Sequence, residues 1–240
     1  MEMETGLKLS PRLEKVAGFV LPGEPAADIG SDHAYLPIYL VRNGIVPSAV
    51  AVEVHPGPWQ SSLDQVHLHQ LEDKIQVRLG DGFAPLAPGE VATAVVAGMG
   101  ARTIIHILSH GQAILPTLKR LVLQPMAGVA ELRQWLYDRG FCLVDEELVQ
   151  EGEQFYFILA AEKGETKPLS PWEREFGPIL LAKRHPLLVP YLERLIRQQE
   201  RILLSLQRGV SAKAGKERRA AEGRLNLLRE VMKWLSTAND

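Results

Sequence analysis

Three carboxylates fall at matching places in this chain: Asp28 in Asp28-Ile29-Gly30-Ser31-Asp32-His33-Ala34, Glu53 closing Ala51-Val52-Glu53, and Asp81 in Gly80-Asp81-Gly82. Each follows a short apolar run, and in a parallel sheet the residues after successive strands collect along one edge, where ligands bind. The first segment reads D-x-G-x-D-x-A and not G-x-G-x-x-G, the pattern that seats a pyrophosphate on a helix N-terminus. A cofactor without phosphates suits it better. S-adenosylmethionine presents an ammonium, a carboxylate, a ribose diol and an adenine, which calls for an acid near the glycine turn, a second acid after strand two and a polar group after strand three. Asp28, Glu53 and Asp81 stand in those places. Gly30, Ser31, His33, Gly80 and Gly82 join them as cofactor-binding candidates. The local alternatives are a helix cap for Asp28, a solvated strand end for Glu53 and an ordinary Asp-Gly turn for Asp81. Three acids after three successive strands favour the joint reading.

A second group belongs to the substrate side. Ala97-Gly98-Met99-Gly100 ends a fourth apolar run with glycines that permit close backbone approach. Gly98 and Met99 are therefore candidates for holding a target group against the transferred atom, and Gly98 also for touching the cofactor. After the fifth run, Leu123-Gln124-Pro125 delivers Gln124 to the same edge, to bind a base edge or to cap a loop.

These residues need a sheet flanked by helices. Strands are expected over Ala26–Ile29, Ala49–Val54, Ile75–Leu79, Val91–Ala97 and Leu121–Leu123, with helices near Tyr35–Asn43, Trp59–Leu71, Thr103–Ser109 and Ala130–Arg139. Ser10-Pro11 starts an earlier helix as cap and first residue, and Pro22-Gly23 stops it. Cys142–Val149 and Phe155–Ala161 are separated only by Gln150–Gln154, so they form a hairpin and not a crossover. The class is α/β: a doubly wound parallel sheet with a terminal antiparallel hairpin, the outline of a class I methyltransferase. Gly164–Ser170 reads as a linker, which divides the chain into domains 1–164 and 165–240. Beyond it, Leu188, Leu192, Leu195, Ile202 and Leu206 follow a 4-3 spacing with Gln199 on the seam, and Ala221, Leu225, Leu228, Met232 and Leu235 repeat it. With polar Gly209–Lys216 between them, the two segments predict an antiparallel helical coiled coil.

At 240 residues, 46% hydrophobic and 23% charged, the chain matches soluble globular proteins. It holds no apolar run near the roughly 20 residues of a membrane span, and its acidic N-terminus is unlike a signal peptide, so a cytoplasmic location is expected. The lone Cys142 lies in an apolar stretch and reads as packing. The net charge of −2 hides an uneven distribution: residues 182–240 carry 13 Lys+Arg against 6 Asp+Glu, and the remainder 14 against 23. A basic tail suits nucleic acid, or it is the solvated face of a helical pair. No metal is expected, because His67 and His69 point to different helix faces and His106 and His110 lack the glutamate of H-E-x-x-H.

Ala27–Pro37, Arg78–Gly82, Ala97–Gly100, Leu121–Pro125 and Trp135-Leu136-Tyr137 together closely resemble the bacterial TrmK family over about residues 8–163. That resemblance implies a tRNA (adenine(22)-N1)-methyltransferase with a Rossmann-like catalytic domain and a C-terminal coiled coil. The family commonly has a glycine where this chain has Ala101, and asparagine where it has Met126. Adenine N1 attacks with an in-plane lone pair and needs no prior deprotonation, so positioning dominates, while a nearby carboxylate stabilises the cationic product. Asp32, standing where many methyltransferases have a second glycine, is the candidate for that role; the alternative is a cap for the next helix. The target adenine must be unstacked, and Arg184, Arg194, Arg197, Arg201, Arg208, Lys213, Lys216, Arg218 and Arg219 are candidates to grip the tRNA backbone. Monomer and homodimer are equally open. Alternatives are a methyltransferase of this fold acting on another RNA position or on a small molecule, and a non-catalytic RNA-binding protein; a nicotinamide dehydrogenase is disfavoured by the missing glycine motif.

Overall fold

Ala26–Ile29 (β1) and Ala49–Glu53 (β2) are buried along their whole length, as parallel strands covered on both faces should be. The computed structural model describes residues 7–206 and 212–237, apart from the side chains of 212–214. Ile75–Leu79 (β3), Thr93–Met99 (β4) and Arg120–Pro125 (β5) complete the parallel part, and Phe141–Glu151 (β6) with Gln154–Lys163 (β7) forms the expected hairpin. The sheet order is β3-β2-β1-β4-β5-β7-β6, so the second hairpin strand inserts beside β5. Its turn is tighter than the spacing suggested, only Gly152-Glu153, with Gly152 at φ +59°. The order of the parallel strands reverses between β1 and β4, which opens the crevice where such sheets bind ligands.

Helices Pro11–Phe19 (α1), Tyr35–Arg42 (α2), Pro56–Leu68 (α3), Ala101–His110 (α4) and Val129–Asp138 (α5) flank this sheet. α1 starts as its sequence dictates: Ser10 Oγ accepts the Leu13 N–H at 3.4 Å and Pro11 occupies the first turn. Its buried Val16 and Ala17 join a core that includes Val20, Ile38, Leu40, Val95, Val122 and Ile158. β4 and β5 run further than the apolar pattern alone indicated, to Met99 and Pro125, which places Gln124 inside a strand and not in a loop.

The compact units divide between Glu175 and Phe176, later than the Gly164–Ser170 linker. Residues 165–175 are held to the first unit by polar contacts that composition does not reveal. Arg133, fully buried and ion-paired with Glu146 at 2.8 Å, donates through Nη1 to the carbonyls of Arg174 and Glu175, and Thr166 Oγ1 donates to Tyr137 O. Pro171–Phe176 (α6) spans the division. Cys142 is half-buried against the hairpin, its Sγ 3.6 Å from Glu162 O.

The second unit contains Pro178–Ala182 (α7), Leu188–Leu206 (α8) and Ala212–Ser236 (α9). α8 and α9 pack antiparallel, tied by Arg229 to Glu200 at 2.9 Å, and bury Leu188, Leu192, Gln199, Ala221, Leu225, Leu228 and Leu235. Two seam positions differ from the heptad reading. Val231 is the fully buried side chain beside Met232, and Ile202 is exposed. Of the expected Gly209–Lys216 connection, Ala212–Lys216 already belongs to α9, while Gly209–Ser211 lie outside the described residues. Among the described residues no helix is long and apolar enough to cross a membrane.

Candidate active site

At the reversal point, Asp28 leaves β1 almost wholly buried and accepts a 2.6 Å hydrogen bond from Ser31 Oγ. Burial first, and Glu53 nearby, push its carboxyl up from 3.8 to about 7 against the Ser31 bond. Glu53, also buried, has its pKa raised chiefly by desolvation. Its Oε1 accepts the Asp32 N–H at 2.5 Å and the Ser62 hydroxyl at 3.5 Å; Oε2 makes no hydrogen bond among the described residues. The Glu53 carbonyl accepts from Gly80 N–H at 2.8 Å, which ties the end of β3 to the end of β2.

The chain between these acids is bent sharply. Gly30 has φ +73°, a backbone conformation that strains any side chain, and a Cβ there would lie 2.2 Å from Met99 Cε and push that flexible terminus aside. Asp32, His33 and Ala34 follow at φ +42°, +71° and +55°, three non-glycine residues in left-handed conformations that each cost about 1 kcal/mol or more. Ala34 is the cap position of α2 and no side chain caps that helix, so Asp32 is free of the capping role. The Asp32 carboxylate is exposed at 81%, 3.6 Å from His33 Nε2, and the His33 ring stacks on Tyr35 at 5.4 Å.

β4 carries a bulge between Ala97 and Met99 opposite β5. Gly98 swings out of register at φ +76°, with open space where a Cβ would stand. Its N–H donates to Gln124 Oε1 at 3.1 Å. Gln124 is completely buried, and its Nε2 donates to Pro125 O. That side chain therefore does not present a base-reading edge; it holds the bulge instead, a correction that follows from its strand position.

A cavity of about 340 Å³ collects Asp28, Gly30, Ser31, Asp32, Tyr35, Ala97, Gly98, Met99 and Met126. Sequence reasoning missed Arg12 of α1, which lines the same cavity, bonds Gln124 Oε1 and lies 5.5 Å from the Tyr156 ring. Its only signal was its place just inside a capped helix, and nothing local says that this helix crosses the end of β5. Asp81 and Gly82 line a separate cavity of about 470 Å³ with Phe83, His106 and His110, while Glu53, Gly80 and His33 line neither. Of the two family departures, Met126 faces the first cavity and Ala101 is buried beneath Gly128.

The fold as a whole matches a known group of proteins. The family model for tRNA (adenine(22)-N(1))-methyltransferase, TrmK, matches residues 26–230. The chain belongs to this family. A curated Bacillus subtilis relative, "tRNA (adenine(22)-N(1))-methyltransferase", is 34% identical and covers 94% of this chain and 98% of its own length. A Streptococcus pneumoniae structure described as a putative tRNA (m1A22) methyltransferase in complex with S-adenosyl-L-methionine is 39% identical, with TM-score 0.85 over 94% of this chain and all of that one. Mycoplasma capricolum TrmK, solved with S-adenosyl-homocysteine, is 26% identical with TM-score 0.81, over 94% of this chain and 98% of its own.

The tail cations divide. Arg184 donates to the carbonyls of Trp234 and Leu235 and stacks 4.4 Å over the Trp234 ring, so it takes part in the second unit's own packing. Arg197 and Arg218 pair with Glu193 and Glu222, and Arg194 is also engaged. Arg201, Lys216 and Arg219 are exposed with no ion pair among the described residues; the side chains of Arg208 and Lys213 lie outside them.

Proposed function

We propose that this chain methylates N1 of adenine 22 in tRNA, using the β1–β4 crevice to bring S-adenosylmethionine and the flipped base together. The observation that carries the reading is the juxtaposition of buried Asp28 with the open bulge at Gly98 in one cavity. When bound, S-adenosylmethionine supplies an electrophilic methyl group on a sulfonium. The residues present fit it. Asp28, on the verge of ionisation, is matched to an ammonium, which would stabilise its charged form. Glu53 keeps Oε2 for a ribose diol while Oε1 is fixed by the Asp32 N–H, and Gly80, Asp81 and Gly82 stand at the end of the next strand for the adenine.

Gly98 and Met99 form the wall against which the target base rests, and the missing side chain at Gly98 gives it room. Gln124 acts as a positioning residue that keeps the bulge in place. Asp32 is the carboxylate facing the base, where negative charge stabilises the cation that forms as N1 is methylated. His33, outside the cavity, stacks on Tyr35, which lines it. Water exclusion and alignment supply most of the rate, because N1 needs no base to activate it. The exposed Arg201, Lys216 and Arg219 suit phosphate contacts. The alternative of a non-catalytic RNA-binding protein loses ground because both buried acids are intact.

Labelled S-adenosylmethionine incubated with tRNA carrying A22, beside an A22-to-G transcript, tests this. Label should enter only the first, and equal labelling would remove the position. Asp32→Ala should keep cofactor affinity and lose roughly 100-fold in kcat, the scale of one lost electrostatic contact to the transition state.

A further inference from the structure

Of the residues lining the Asp28–Gly98 cavity, Arg12 is the sole cation. No carboxylate pairs with its guanidinium among the described residues, although Asp28 and Asp32 share the cavity. Instead Nη1 donates to Gln124 Oε1, which leaves Nε and Nη2 without hydrogen bonds among the described residues. Those two nitrogens form one edge of the guanidinium, with parallel N–H groups spaced to meet two oxygens of an oxyanion. The group is preorganised: Tyr156 lies 5.5 Å from the guanidinium carbon, and the Arg12 backbone N–H donates to Glu151 Oε1 at 2.7 Å, anchoring the start of α1 to the hairpin.

A fixed cation with an open two-donor edge is wrong for the base itself, because methylation makes the base cationic and a positive neighbour would oppose it. Its anchoring contacts also differ from those of the cofactor acids, although Asp28 lines the same cavity. Arg12 touches residues of β5, β6 and β7, whereas Asp28, Glu53 and Asp81 belong to the ends of β1, β2 and β3 on the other side of the reversal. We infer that Arg12 grips a phosphate of the target nucleotide through its Nε–Nη2 edge, so that Gln124 positions at once the glycine bulge under the base and the cation on its backbone. This rests on the tRNA-methylation reading, and it adds the feature that distinguishes a nucleotide in a strand from a free nucleoside.

The test uses the full chain and tRNA carrying A22, with methyl transfer measured across a series of salt concentrations. Wild-type turnover on this tRNA checks the underlying reading separately. Arg12→Ala should raise KM for tRNA by about 10- to 100-fold, the loss of one charge-assisted contact. It should also flatten the slope of log affinity against log salt by about 0.7–0.9, one phosphate's share, with S-adenosylmethionine affinity unchanged. Arg12→Lys, which keeps the charge and guards against a folding defect, should retain the salt slope while KM still rises. An unchanged slope in Arg12→Ala would overturn the proposal. So would a loss of S-adenosylmethionine affinity that spares 5′-methylthioadenosine, since that result assigns the edge to the cofactor's carboxylate.

Discussion

Replacing Asp28 by asparagine should stabilise the ligand-free protein in mild alkali while abolishing tight cofactor binding. The carboxyl is raised from 3.8 to about 7 mainly by burial, so the folded chain holds a proton that the unfolded chain releases above pH 4. Raised carboxylate pKa values act against folding as pH rises: the penalty is absent below the unfolded value, grows between 3.8 and about 7, and is complete above. The gap, at about 1.4 kcal/mol for each tenfold change in proton affinity, sets a ceiling of about 4 kcal/mol at pH 8. Asparagine keeps an oxygen to accept from Ser31 Oγ and carries no charge to desolvate. Urea unfolding of wild type and Asp28→Asn at pH 4 and pH 8 measures the difference. The variant should gain up to that ceiling at pH 8 and little at pH 4. Calorimetry should show wild-type affinity for S-adenosylmethionine rising with pH to a plateau above about 7, because the ammonium binds the ionised form, and no such rise in the variant. Equal stability of the two proteins at pH 8 would refute the claim that this site holds a destabilised carboxylate for its ligand.

Gly30→Ala and Gly98→Ala separate packing from room. The first drives a methyl into Met99 Cε at positive φ and should lower both stability and cofactor affinity; the second meets only open space, so it should cost about 1 kcal/mol in a thermal melt yet depress kcat by crowding the base. Arg133→Met strands the Glu146 carboxylate in a fully buried position and should destabilise the first unit by roughly 3–5 kcal/mol, read by chemical denaturation. Adding Glu146→Leu should recover much of that loss. A chain ending at Glu175 should bind S-adenosylmethionine as the full chain does and show a raised KM for tRNA; an unchanged KM would remove the helical tail from RNA binding.

Much of this protein is written in local pattern. The apolar runs of β1, β2 and β3, the cap and proline that start α1, and the D-x-G-x-D-x-A segment at Asp28 in place of G-x-G-x-x-G determine a doubly wound sheet and a cofactor without phosphates, because strand period, capping and turn chemistry depend on neighbours in sequence. The acids at positions 28, 53 and 81 could be placed for the same reason: each lies at or just past the end of a strand, and parallel strands end on one edge. Gln124 was legible as a site residue and wrong as a base reader, since one further ladder step in β5 turned it from the edge into the interior. Arg12, the Gly98 bulge and the Arg133–Glu146 pair were not legible at all. Each depends on two segments far apart in the chain meeting across the sheet, and only the tertiary fold decides which polar groups those meetings bury, satisfy or leave open.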